Sequence, residues 1–133
     1  IMDAKEVLVI ADSCYSGAMT LSSVPNLSVG LSDEKRLQAL KQISTKRSRT
    51  ALTSGGLAPV LDSDGDGLHS IFNKALVSFL ENSQGVIEGL KVYQTIGQKV
   101  SLDASRLRFE QIPQYAAINN AGHEAGDFFF VPK

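Results

Sequence analysis

The sequence predicts an α/β fold with a mainly parallel sheet. Three observations carry that expectation. Val7–Ala11 is an unbroken apolar run of strand length, which reads as a strand buried on both faces, as in parallel sheets. Ile71, Phe72, Ala75, Leu76, Phe79 and Leu80 recur at helical spacing and define one strongly amphipathic helix. The expected order of elements, β, loop, α, β, α, α, β, interleaves strands and helices.

Each element has a local reason. Lys5-Glu6 precedes the first strand and Asp12-Ser13 follows it. Residues 16–32 are rich in Ser and Gly and contain Pro25-Asn26, the signature of a long loop. Ser32 is placed to cap a helix with Asp33 and Glu34 in its first turn and Leu37, Leu40 and Ile43 along one face. Lys46-Arg47-Ser48-Arg49 reads as a basic, exposed connector, and Thr50–Thr53 as a short strand leaving through Ser54-Gly55-Gly56. Residues 55–68 form a loop carrying three alternating aspartates, and the amphipathic helix follows. Gly85 ends the next connection. A second helix is expected over about 88–102, with Leu90, Tyr93, Ile96 and Val100 inward and Gly97 weakening it. Residues 103–126 read as loop, and Phe128–Val131 as a last buried strand stopped by Pro132.

Composition bounds the functional classes. The chain has 133 residues, 13 basic and 14 acidic, for a formal net charge of −1, which fits one domain and gives no electrostatic reason to expect nucleic acid or an anionic membrane as partner. No apolar run approaches the ~18 residues of a spanning helix. One cysteine excludes an internal disulfide and suits a reducing, cytoplasmic compartment. One Cys and two His are too few for a structural zinc site without carboxylates. The chain opens at Ile1 without an initiator Met, so residues upstream are expected.

The segment that points to chemistry is Asp12-Ser13-Cys14-Tyr15-Ser16-Gly17, directly after the first strand. Ligands of open α/β sheets bind beyond the carboxyl ends of the strands, and a cysteine there sits where a nucleophile belongs. The alternative is a small buried apolar Cys. Neither a phosphatase loop nor a nucleophile elbow fits: Thr20 stands where the first needs Arg, and Asp12 and Ser16 stand where the second needs Gly.

Asp-Ser-Cys-Tyr-Ser-Gly after Val-Leu-Val-Ile-Ala resembles the nucleophile segment of the caspase/metacaspase superfamily, especially its bacterial caspase-like peptidases. The resemblance continues through residues 49–56, 67–72, 111–114 and 126–130, in the family's order, and covers nearly the whole chain. It implies a mostly parallel sheet sandwiched by helices, of which this chain would supply the last three strands as the C-terminal part of a single peptidase domain. It implies a cysteine endopeptidase with Cys14 as nucleophile. The family's catalytic His lies in a His-Gly motif before the Cys segment, and none of the 13 residues before Cys14 is His. The base is therefore expected upstream, in an N-terminal part of the same domain, and residues 1–133 alone should be inactive. His69 and His123 read as a helix-start and a loop residue rather than as substitutes.

In metacaspases the acid matching Asp12 lines the S1 pocket and selects Arg or Lys at P1, whereas caspases proper carry Gln there and cleave after Asp. A carboxylate at the base of a pocket pairs bidentately with guanidinium. Thr53 and Ser54 would follow the substrate strand, with backbone hydrogen bonds supplying most of the binding, and Asp62 could add a second acid to S1. Residues 16–49 would form an exposed processing region with Lys46, Arg47 and Arg49 as self-cleavage sites.

Asp62-Ser63-Asp64-Gly65-Asp66-Gly67 matches the first half of an EF-hand loop, but position eight is His69 and position twelve is Asn73 where a bidentate Glu is needed. A polar turn is the plainer reading. No cofactor is required by the sequence, and Ca²⁺ on Asp62, Asp64 and Asp66 is the one candidate. Two other classes compete with the peptidase: a non-catalytic caspase-like scaffold and a calcium-binding regulatory domain.

Overall fold

A computed structural model describes residues 3–13, 20–23, 31–55, 67 and 69–132. Over these residues it is an α/β fold with mixed sheets and three helices. In chain order these are β1 (Glu6–Ala11), β2 (Thr20–Ser23), α1 (Asp33–Ile43), β3 (Ser48–Thr53), α2 (Ile71–Glu81), β4 (Ile87–Glu88), α3 (Gly89–Arg106), β5 (Gln114–Ile118) and β6 (Phe129–Phe130). The main sheet runs β1-β3-β5-β2, and β4 and β6 form a separate two-stranded sheet.

The sheet departs from expectation in three ways. Its strands pair in both senses: β1 runs parallel to β3, from Glu6↔Ser48 to Ala11↔Thr53, while β5 lies antiparallel to both β3 and β2. Among the described residues the three expected strands become six: the region read as loop over 103–126 contains β5, inside the sheet, the loop over 16–32 contains β2, and the connection before α3 contains the two-residue β4. The Phe128–Val131 run contributes only two half-buried residues to the small sheet.

β1 is not buried on both faces. Among the described residues it has a strand on one side only, and Val9 and Ile10 are 38% and 43% exposed. The wholly buried strand is β3, whose sequence Ser-Arg-Thr-Ala-Leu-Thr is mostly polar. Three of its four buried polar side chains are hydrogen-bonded. Thr50 Oγ1 meets the Tyr115 hydroxyl at 3.0 Å, and Thr53 Oγ1 donates to Gly55 O at 3.0 Å. The Arg49 guanidinium donates to Lys5 O and Ser48 O, each at 2.8 Å, and to Ala4 O.

The core lies between α2, α3 and the sheet. Ile71, Phe72, Ala75 and Leu76 of α2 meet Leu90, Val92, Ile96, Val100 and Ala104 of α3, with Leu52 and Tyr115 from the sheet. Tyr93, expected inward, is half-buried and stacks on Tyr115. Gly85, at φ +76°, makes the turn from α2 to β4 in a region costly to other residues. Gly89 opens α3 where a Cβ would overlap the Tyr115 hydroxyl.

α1 forms where its cap and acidic first turn predict, but it buries no residue and Leu37 is 56% exposed. Arg36 ties it to β4, donating to both Glu88 carboxylate oxygens at 2.7 and 2.8 Å, and Lys5 Nζ donates to its C-cap carbonyl Ser44 O at 2.5 Å. No helix among the described residues is long and apolar enough to cross a membrane.

Candidate active site

The parallel pairing of β1 and β3 brings their carboxyl ends together. Ser54 N–H donates to Ala11 O at 3.0 Å, extending the ladder one step past both strands. Asp12 is the next residue and is exposed. Its Oδ2 accepts from the Ser70 hydroxyl at 2.5 Å, in the range of a charge-assisted O–H···O⁻ bond. Ser70 is only 8% exposed. It is the N-cap of α2, and its Oγ accepts from Asn73 N–H at 2.9 Å. A carboxylate at the end of one strand is thus coupled through one hydroxyl to the first turn of the main core helix. The partner of Asp12 is a side chain rather than a backbone N–H group.

The other side of the site is fixed from below. Gln111, 3% exposed, donates from Nε2 to Ser54 O at 2.9 Å. Its own carbonyl accepts from Ser101 Oγ of α3 at 2.9 Å. Thr53 and Ser54 are both fully buried, and both backbone polar groups of Ser54 are engaged within the fold. Ser54 Oγ is buried with no hydrogen-bond partner among the described residues.

Cys14, Asp62, Asp64 and Asp66 lie outside the described residues. Among the described residues no group of three or more His, Cys, Asp and Glu could hold a metal ion. His69 is exposed, immediately before the cap of α2. His123 is at the other end of the sheet: its Nδ1 accepts from Arg49 N–H at 3.1 Å, five residues along β3 from Ser54, roughly 16 Å at strand rise. Burial pulls the His123 imidazole below its ordinary value of 6.5, against the nearby Asp127 carboxylate.

The basic connector divides. Lys46 and Arg47 have exposed side chains. The Arg47 backbone is nonetheless bound on both sides, with N–H donating to Glu124 Oε2 at 3.1 Å and C=O accepting from Glu124 N–H at 2.9 Å. Arg49 is not in a connector at all: it lies inside β3, 8% exposed. A peptidase would have to unpair the strand to cut after it.

A second polar cluster had no sequence signal. Asp127, 4% exposed, accepts from the Tyr115 hydroxyl, from Leu90 N–H at 3.0 Å and from Phe128 N–H at 2.7 Å. It caps the start of α3 from a distant segment. Burial pushes the Tyr115 hydroxyl far above its ordinary range, and the Asp127 charge adds to this. Burial also pushes the Asp127 carboxyl up, while Tyr115 and the two backbone N–H groups pull it back. Of the site proper, sequence reasoning missed Ser70 and Gln111. Ser70 had a usable signal, a Ser placed directly before an apolar-periodic run. Gln111 had none.

No family model, curated protein or solved structure matches the chain.

Proposed function

We propose that this chain belongs to a caspase-like cysteine endopeptidase that cleaves after Arg or Lys. The observation that carries the reading is Asp12: an exposed carboxylate at the carboxyl end of a parallel strand, aimed by a buried hydroxyl and two residues before the only cysteine. In this reading the Cys14 thiolate attacks the carbonyl carbon of the P1 residue. A histidine from an upstream part of the domain takes the thiol proton and returns it to the leaving amine. Water then hydrolyses the thioester. The Cys14 N–H and a Gly N–H beside that histidine hold the oxyanion, a contribution of roughly 3–4 kcal/mol per donor in serine peptidases. Asp12 pairs with the P1 cation, and a P1 carboxylate is disfavoured because like charges would be brought together.

Among the described residues β1 is paired on one side only, which is compatible with an upstream partner segment. Its outer edge and the half-exposed Val9 and Ile10 offer a strand-pairing surface, which the upstream part carrying the histidine would occupy. Self-processing, where it occurs, is assigned to Lys46 and Arg47 rather than to the buried Arg49.

The test is a panel of fluorogenic peptides differing only at P1, run on the protein with its upstream segment and on its Cys14→Ala and Asp12→Ala variants. Cleavage after Arg and Lys, lost in Cys14→Ala and reduced chiefly in kcat/KM in Asp12→Ala, is expected. Cys14-dependent cleavage after Asp alone would overturn the role of Asp12. No Cys14-dependent cleavage of any peptide would leave the non-catalytic scaffold as the better reading.

A further inference from the structure

We propose that Ser70 is a positioning residue that fixes the plane of the Asp12 carboxylate and thereby biases the site toward guanidinium over ammonium. The inference rests on reading Asp12 as the partner of a basic P1 side chain.

Ser70 has two hydrogen bonds that constrain each other. Its Oγ accepts from Asn73 N–H at 2.9 Å, which occupies a lone pair and turns the hydroxyl proton outward, and that proton is donated to Asp12 Oδ2 at 2.5 Å. Ser70 sits at φ −67°, ψ 157° with the first turn of α2 behind it, and Ile71 and Phe72 anchor that turn in the core at 3% and 1% exposure. The donor therefore cannot drift, and the carboxylate it holds is aimed by the core. Asp12 itself is exposed, so without this bond its second side-chain torsion would be broad.

The chemistry of the two basic side chains makes this orientation selective. Guanidinium presents a planar fork that needs both carboxylate oxygens in one plane. An ammonium is a point charge with freely rotating donors and tolerates a carboxylate in any rotation. One Ser70 bond uses a single lone pair of Oδ2 and leaves Oδ1 and the rest of Oδ2 open. Fixing the plane thus favours arginine more than lysine.

The capping and aiming roles can be separated. Gly is almost as good an N-cap as Ser and lacks the hydroxyl, Thr keeps both functions, and Ala loses both. The experiment measures binding of N-acetyl-argininamide and N-acetyl-lysinamide by chemical-shift titration, using the protein with its upstream segment. It compares the parent with Ser70→Gly, Ser70→Thr, Ser70→Ala and Asp12→Ala, and records thermal melts and P1-Arg and P1-Lys turnover beside it. Ser70→Gly should lose roughly threefold to tenfold in arginine affinity, because the carboxylate keeps its charge and loses only its fixed orientation, with a smaller loss for lysine and a melt close to the parent. Ser70→Thr should restore the arginine preference. Equal arginine and lysine losses in Ser70→Gly, or none, overturn the proposal while leaving the peptidase reading standing. Asp12→Ala that binds arginine as well as the parent overturns both. The expected ligand pattern without Cys14-dependent turnover supports the role of Ser70 and overturns the peptidase reading alone.

Discussion

Removing the Asp127 carboxylate should be among the most damaging single changes outside the site. In Asp127→Ala three donors lose their acceptor: the Tyr115 hydroxyl, Leu90 N–H and Phe128 N–H. They do not cost the same. Phe128 is half-buried and its N–H can reach water. Tyr115 keeps Thr50 Oγ1 at 3.0 Å as an alternative partner. Leu90 N–H, at the buried start of α3, has no such recourse and bears the full penalty of an orphaned donor, roughly 1–3 kcal/mol. Adding a weakened Tyr115 bond, and subtracting the relief of no longer burying a carboxylate, the loss comes to about 3 kcal/mol. That is a large share of the ~5–15 kcal/mol of a typical domain, but small enough to leave a folded protein to measure. Tyr115→Phe, which takes a donor from the buried Asp127 carboxylate as well as the partner of the Thr50 hydroxyl, should cost about 1–3 kcal/mol. Because the two side chains share one bond, the double variant should cost less than the two singles together. Urea unfolding followed by far-UV circular dichroism at neutral pH reads all three. An Asp127→Ala midpoint equivalent to a loss under about 1 kcal/mol, or strict additivity in the double variant, would refute the account of Asp127 as the hub joining α3 to the sheet.

Two further outcomes follow from contacts at the edges of the fold. The folded state holds His123 below 6.5, so as pH falls the unfolded chain takes up the proton first, and stability, full above about pH 6.5, is lost toward the folded-state value. His123→Gln should flatten that part of a urea-midpoint profile taken from pH 8 to 5.5, and identical profiles for variant and parent would count against it. Arg36→Ala leaves Glu88, 4% exposed, without its cation. A fully buried pair would lose about 3–5 kcal/mol, but the Arg36 side chain is 37% exposed, so about 1–2 kcal/mol is expected. Since α1 buries nothing, its amides should show the largest gain in hydrogen exchange, and an unchanged α1 would show that something else holds it.

What was legible in the sequence is what local periodicity encodes. The six apolar positions from Ile71 to Leu80 gave α2 with its observed start, because Ser70 and the core face lie within one turn of each other. α3 starts near its expected residue and continues past it to Arg106, since Val100 and Ala104 prolong the same buried face. β5 escaped notice because Gln-Tyr-Ala-Ala-Ile is short and alanine-rich; it is a strand because β3 and β2 flank it, not by propensity. β1 showed the opposite error. Its apolar run is real, but burial on both faces needs neighbours that a run cannot specify. At the site, Asp12 could be singled out because a charge ends an apolar strand. Its bond to Ser70 spans 58 positions, and that of Asp127 to Leu90 spans 37. No local pattern states which distant polar groups will meet.

The placement of the polar contacts along β3 explains why a strand with so weak a pattern keeps one register. Ser-Arg-Thr-Ala-Leu-Thr has no clean alternation of apolar and polar residues, and a strand of that kind is prone to slip. At its start, Arg49 N–H is held by His123, and the Arg49 guanidinium by carbonyls at residues 4, 5 and 48. In the middle, Thr50 is held by Tyr115, itself bound to Asp127. At its end, Ser54 is held by Ala11 and Gln111. A slip of one residue would break all three sets at once and turn every side chain to the opposite face. It would also move Ser54 away from Ala11, and Asp12 follows Ala11 directly. The polar contacts therefore do for β3 what hydrophobic alternation does for an ordinary strand, and the position of Asp12 relative to Ser54 and Ser70 depends on that register.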